Sequence, residues 1–174
     1  MLLTGTFFRA LDDKQRIGLP KPLREPLATS DSSVFYLAPG TDGSLAFYSE
    51  RAFTQLAEQI DRSSPNSQDV RAFSRLFFAQ AQRVEVDSQG RLRIPLELAR
   101  LARLEKEIVL IGVRDHIEIW NRREWDEYLG RQQARYDEIA ETALDRRGIS
   151  RGGEIRPVED AYGSETTDRP TAPR

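Results

Sequence analysis

Two arginines stand at matching points of a repeated motif. Asp12-Asp13-Lys14-Gln15-Arg16-Ile17-Gly18-Leu19-Pro20 returns 75 positions later as Asp87-Ser88-Gln89-Gly90-Arg91-Leu92-Arg93-Ile94-Pro95. An acid, a turn, an arginine four residues on, an alternating apolar run and a proline recur in register. Arginine carries a permanent charge on a planar fork of donors, so Arg16 and Arg91 could grip a phosphate or a guanine edge. The same spacing equally permits a salt bridge back to Asp12 or Asp87. The residues alone leave both readings open. Lys14, Arg9 and, in the second copy, Arg93 could add positive charge nearby.

The elements that must carry these side chains are short. Thr6 to Leu11 and Gln82 to Val86 read as strands running into the turn, and Ile17 to Leu19 and Leu92 to Ile94 as strands leaving it. An Asp at such a junction accepts backbone N–H groups in an Asx-turn, which gives Asp12 and Asp87 a structural role. Gly90 suits a left-handed turn position because it has no Cβ. Gln15 takes the matching place in the first copy, where a left-handed backbone costs on the order of 1 kcal/mol.

Helices are expected at Lys21 to Leu27 and Leu96 to Leu104, followed by buried strands at 34–37 and 108–113 and further strands at 45–48 and 117–120. Ser49 and Asn121 are N-cap residues for two exit helices, the second running to about Leu144. A linker helix is expected from Gln68 to about Phe78. The second half of each copy matches at an offset of 72, as in Leu45 to Phe53 against Ile117 to Trp125. Three extra residues therefore lie in the first copy, and turn-rich Pro39 to Gly43 is their expected place. Internal repetition of this kind implies a pseudo-symmetric object.

Bulk composition narrows the function. The chain has 174 residues, no cysteine, one histidine and a net charge of −2. No apolar run reaches the roughly 18 residues of a membrane span, and the first residues lack the pattern of a signal peptide. Disulfide and thiolate chemistry are excluded, a reducing cytoplasm is expected, and His116 is expected in an exposed turn. No nucleophile–base set, phosphate loop or metal-ligand spacing accompanies the paired carboxylates, so neither an enzyme, a cofactor nor a metal is expected. The net charge does not favour nucleic acid, yet Arg9, Lys14, Arg16, Lys21 and Arg24 outnumber Asp12 and Asp13 locally. Trp120, Trp125, Tyr48 and Phe53 read as core. From Gly148 the glycine, proline and alternating charge predict a disordered tail.

The doubled Asp-x-x-x-Arg motif with its alternating strand and proline resembles the MraZ family. So do Gly5 before Leu11-Asp12, Arg75-Leu76-Phe77-Phe78, Glu107 to Gly112 and Ile117 to Trp120. The likeness spans about residues 1 to 145 and departs at Gln15, where the family usually has glycine. It implies an α+β fold with two pseudo-symmetric AbrB/MazE-like (SpoVT-AbrB) β-barrel-type repeats in one chain. The divisions would be 1–61, a linker helix at 62–80, 81–147 and the tail 148–174. It also implies a cytoplasmic, nucleoid-associated transcriptional regulator of the division and cell-wall gene cluster, acting as a repressor. Double-stranded DNA would be bound at promoter direct repeats by a homo-oligomeric ring, octamer or dodecamer, with no membrane partner. Arg16 and Arg91 would be the DNA contacts, assisted by Lys14, Arg9 and Arg93. The competing implication is an antitoxin-type protein-binding module or an oligomeric scaffold.

Overall fold

The computed structural model describes residues 2–28, 34–62 and 67–145. The tail expected at 148–174 lies outside them. The chain divides into two compact units, Met1–Gly130 and Arg131–Arg174.

In chain order the elements are β1 (Thr6–Ala10), β2 (Arg16–Gly18), α1 (Lys21–Ala28), β3 (Phe35–Pro39), β4 (Leu45–Ser49), α2 (Glu50–Arg62) and α3 (Gln68–Gln80). Then follow β5 (Gln82–Val84), β6 (Arg91–Arg93), α4 (Leu96–Leu101), β7 (Glu107–Val113), β8 (His116–Asn121), α5 (Arg122–Gln133) and α6 (Tyr136–Asp145). The fold is α+β and carries the repeat throughout. One sheet has six strands in the order β1-β7-β8-β4-β3-β5, and β2 pairs with β6 in a separate two-stranded ribbon. The barrel-type repeats thus take the form of an open sheet and a ribbon.

That strand order reads the same from either end when β1 is matched to β5, β3 to β7 and β4 to β8. The first strand of each copy pairs with the other copy: β1 joins β7, and β5 joins β3. A pseudo-two-fold axis follows from the register. Ala46 opposes its own equivalent Glu118, and Ile17 opposes its own equivalent Leu92. Exchanging strands in this way lets two short repeats share one core, which neither could bury alone.

The core lies between the sheet and a second layer formed by the ribbon with α1 and α4. Leu37, Leu45, Phe47, Ile108, Leu110, Ile117 and Ile119 of the sheet join Ile17, Leu23, Leu92, Ile94 and Leu98 in one buried cluster. The opposite face of the sheet is aromatic. Tyr36 stacks on Phe53 at 4.4 Å, Phe53 meets Phe77, and Trp120 packs against Trp125 and Tyr128.

Three local expectations change. Phe35 pairs with Ser49 and Val84 as Ile108 pairs with Asn121 and Arg9, so β3 and β7 stand 73 positions apart. Only one of the three extra residues therefore belongs to the Pro39–Gly43 turn. The other two fall before β3, where α1 has eight residues against six in α4; strand pairing fixes the register that composition leaves free. The second exit helix does not run on unbroken: a turn at residues 134–135 separates α5 from α6, and Arg135 N–H donates to the Gln132 carbonyl at 3.0 Å. Gln133, Ala134 and Arg135 supply no large apolar side chain to anchor a continuous helix across the turn. His116 is half-buried at the start of β8, stacked on Tyr48 at 4.9 Å, rather than exposed in a turn. Ser49 and Asn121 act as N-cap acceptors, taking the backbone N–H of Ala52 and of Arg123.

A candidate nucleic-acid interface

Both Asp-x-x-x-Arg turns close through one hydrogen-bond pattern. Asp12 Oδ1 accepts the backbone N–H of Lys14 at 2.9 Å and of Arg16 at 2.8 Å. Asp87 Oδ1 accepts those of Gln89 at 3.0 Å and Arg91 at 2.9 Å. The hairpins are tied by Gln15 N–H to the Asp12 carbonyl and by Gly90 N–H to the Asp87 carbonyl. Gln15 and Gly90 have φ of 60° and 75°, so both turns pass through the left-handed region. Only Gly90 enters it without a Cβ penalty.

The salt bridge that the spacing allowed is present in both copies. Asp12 Oδ2 takes Arg16 Nε at 2.9 Å and Nη2 at 2.8 Å, and Asp87 Oδ2 takes Arg91 Nε at 2.8 Å. The hydrogen bond from the Arg16 side chain, then those from the backbone, hold the Asp12 carboxyl below its ordinary range. For Asp87 the Arg91 backbone N–H is the leading cause and the side chain the next. Each carboxylate thus fixes the rotamer of its arginine while leaving further N–H donors of the guanidinium unused. The Arg16 and Arg91 side chains keep 28% and 34% of their surface exposed, enough for an incoming anion to reach them.

The ribbon brings the two turns together. Arg16 opposes Arg93, Ile17 opposes Leu92, and Gly18 opposes Arg91. Ile17 and Leu92 are buried, so alternation sets Arg16, Gly18, Arg91 and Arg93 on the outward face. Cross-copy bonds lock the arrangement: Leu19 N–H donates to the Gly90 carbonyl at 2.9 Å and Ile94 N–H to the Gln15 carbonyl at 2.8 Å. Three corners of this two-by-two grid are arginines. At the fourth, Gly18, Arg9 reaches over from β1, with Nε 3.3 Å from the Gly18 carbonyl and Nη1 2.8 Å from the Phe8 carbonyl. Four guanidinium groups therefore gather on or beside one ribbon, with exposed Lys14 in the adjoining turn. Arg16 directly opposite Arg93 is a like-charge pair, a destabilising arrangement unless something compensates.

Arg24 completes the site and was not singled out by its sequence position. A Cβ on Gly90 would collide with the Arg24 guanidinium, which lies across that turn. The position 75 residues beyond Arg24 is Ala99, while Gly90 itself corresponds to Gln15. Large and small residues have changed places between the copies: arginine over glycine in one, glutamine with alanine in the other. Reading the two differences together would have flagged the contact. His116 was also missed as a packed residue. Its Nδ1 lies 2.7 Å from Asp115 Oδ1 and its Nε2 3.8 Å from Glu118 Oε1. Burial lowers its pKa, but the bonds to Glu118 and Asp115 prevail and raise it. Among the described residues no cluster of His, Asp and Glu suits a metal ion.

The comparisons agree with this two-copy organisation. The family model described as MraZ protein, antitoxin-like, matches residues 2–76 and again 77–147. The transcriptional regulator MraZ of Finegoldia magna is 36% identical over 140 residues, covering 80% of this chain and 95% of the relative. Its namesake in Lactiplantibacillus plantarum is 38% identical over 141 residues, covering 81% and 97%. That of Alkaliphilus oremlandii is 39% identical over 139 residues, covering 80% and 94%. With both copies matched and these relatives spanned almost end to end, the chain belongs to the MraZ family.

Proposed function

We propose that this protein is a sequence-specific DNA-binding transcriptional regulator, a repressor of the division and cell-wall gene cluster acting on its own promoter. The observation that carries the reading is the gathering of Arg9, Arg16, Arg91 and Arg93 around one outward ribbon. A two-stranded ribbon fits the major groove, where arginine takes guanine O6 and N7 or a flanking phosphate. Lys14 supplies a further phosphate contact from the turn. The relatives' name, transcriptional regulator, supports the same class of activity, and the reading is of a binding protein rather than an enzyme.

One ribbon makes few contacts. In our reading affinity comes from a homo-oligomeric ring of eight or twelve copies presenting identical ribbons to short direct repeats. Exposed Phe73 and Leu76 on α3 offer an apolar face for a second copy. The chain would be organised as 1–61, a linker at 62–80, 81–147 and a tail at 148–174, in a cytoplasmic, nucleoid-associated protein.

The test is a retardation assay on the DNA upstream of the encoding gene, repeated across salt concentrations. Counterion release predicts a log–log slope of roughly −0.9 per phosphate neutralised, hence a steep fall once several ribbons engage. A flat salt response, or no preference over unrelated duplex, would overturn the proposal.

A further inference from the structure

The pseudo-two-fold axis through Ile17 and Leu92 raises a problem for any DNA reader built on this ribbon. Arg16 and Arg91 are related by that axis and are held by the same aspartate bonds. Turning the ribbon end for end on a duplex would exchange them and leave their contacts unchanged. Two equivalent arginines therefore cannot tell one direction of a site from the other, since discrimination needs a difference in free energy between the two placements.

Lys14 has Gln89 as its counterpart, but its phosphate contact carries no sequence information, so the base-reading difference lies at the other two corners. Gly18 stands where the second copy has Arg93. On the Gly18 side the nearby guanidiniums are already engaged: Arg9 is tethered to the Gly18 and Phe8 carbonyls, and Arg24 lies against Gly90. On the Arg93 side the flank is open. A cleft of about 690 Å³ runs there between Gln15, Arg83, Glu85, Arg93 and Leu96. The Arg93 side chain is exposed and makes no hydrogen bond or ion pair with the described residues. It is also the arginine directly opposite Arg16, so its like-charge neighbour is relieved when an anion or a guanine edge arrives.

We infer that the ribbon engages duplex DNA in one orientation and that Arg93, facing the open cleft, is the specificity-determining residue that sets it. Arg16 and Arg91 supply affinity from both halves. Arg93 adds its contact on one half alone, and the tethered Arg9 does not reproduce it on the other. The expected bias is roughly tenfold to a hundredfold, the discrimination that one good arginine–base contact provides. The inference rests on the DNA-binding reading above.

The chain has no cysteine, which makes the test direct. Asp13→Cys and Ser88→Cys place one thiol on each turn, at exposed, equivalent positions. Each full-length variant is coupled to an iron chelate that generates hydroxyl radicals and is bound to an upstream duplex trimmed to one footprint. The expected result is cutting on one flank from the Asp13 position and on the opposite flank from the Ser88 position. Adding Arg93→Gly, or Arg93→Gln where loss of the side chain weakens the strand, should let each label cut both flanks comparably. Gly18→Arg with Arg93→Gly should exchange the two patterns. Equal cutting of both flanks by each label with Arg93 in place would overturn the inference, as would an orientation unchanged in the Arg93 variants. Absence of any cutting or retention of DNA would instead overturn the DNA-binding reading, and this one with it.

Discussion

The Asp12–Arg16 and Asp87–Arg91 turns close through the same bonds but stand on different ground. The first spends a glutamine on a left-handed position and has alanine, Ala99, at the place related to Arg24. The second uses glycine there and lays Arg24 across it. Beyond the turn, the first strand presents Gly18 and borrows Arg9, whereas the second presents Arg93. What the two share is what closes a hairpin and aims an arginine. What they do not share has been exchanged in compensating pairs, so one backbone is kept over two sets of side chains.

The sharpest way to break this equivalence is at the axis. Ile17→Ala and Leu92→Ala each remove a buried side chain from the same point of the core and should each destabilise by about 2–5 kcal/mol. Denaturant melts at fixed protein concentration check this. A loss below about 1 kcal/mol in either would mean that the ribbon is not held by the core.

Next in size is the glycine–arginine exchange. Gly90→Gln places a side chain at a φ of 75° and against Arg24, which should cost more than the roughly 1–2 kcal/mol of left-handed strain alone. Adding Arg24→Ala recreates the Gln15 and Ala99 pairing and should recover part of that loss. Gln15→Gly relieves strain but loosens the unfolded chain, so its net effect should stay within about 1 kcal/mol. A double-mutant cycle reads the coupling, and strict additivity of Gly90→Gln and Arg24→Ala would sink the idea of compensation.

The smallest expected effect concerns a residue that only the second copy possesses. His116 faces Asp115 and Glu118, with the Tyr48 ring stacked on it and Arg114 bonded to Asp115. Burial raises the carboxyl pKa of Asp115 and of Glu118, but bonds from His116, with Arg114 and Trp120, prevail and hold both low. Tyr48, half-buried beside those carboxylates, is pushed up to about 12 and stays neutral. A raised His116 pKa contributes stability that is complete below its ordinary value of 6.5 and is lost as pH climbs through the raised one. The carboxylates' contribution is complete above their ordinary 3.8 and 4.5 and is lost as pH falls through the lowered values. The difference in melting between the parent chain and His116→Gln should therefore peak between about pH 4.5 and 6.5 and fade at alkaline pH, at under about 1 kcal/mol. A difference that does not vary with pH would remove the ion pair from the account.

Much of this was legible because it is local. The Asx-turn, the alternation that buries Ile17 and Leu92, and the Ser49 and Asn121 caps depend on neighbours within a few residues. The arginines were legible as a pair because the repeat is in register. Exchange of β1 and β5 between copies was not readable from strand patterns, since an apolar strand does not name its partner. Neither was the two-residue shift before β3, which only pairing reveals. Arg24 over Gly90 and Arg9 at Gly18 are long-range contacts, visible in sequence only as paired departures from symmetry. His116 looked exposed because the Tyr48 ring that packs it is brought up by the β4–β8 pairing, while only Asp115 and Glu118 are its neighbours in sequence.

In the proposed function the two turn arginines are the common DNA contacts of an otherwise asymmetric ribbon. The most direct test is the affinity of the Arg16→Ala/Arg91→Ala double variant for the gene's own upstream DNA. Fluorescence anisotropy gives the affinity at one salt concentration, and light scattering gives the assembly size. A loss of about a hundredfold or more is expected, from two arginine contacts of roughly 1–3 kcal/mol each, with the assembly unchanged. An intact assembly that still binds as tightly as the parent chain would contradict it.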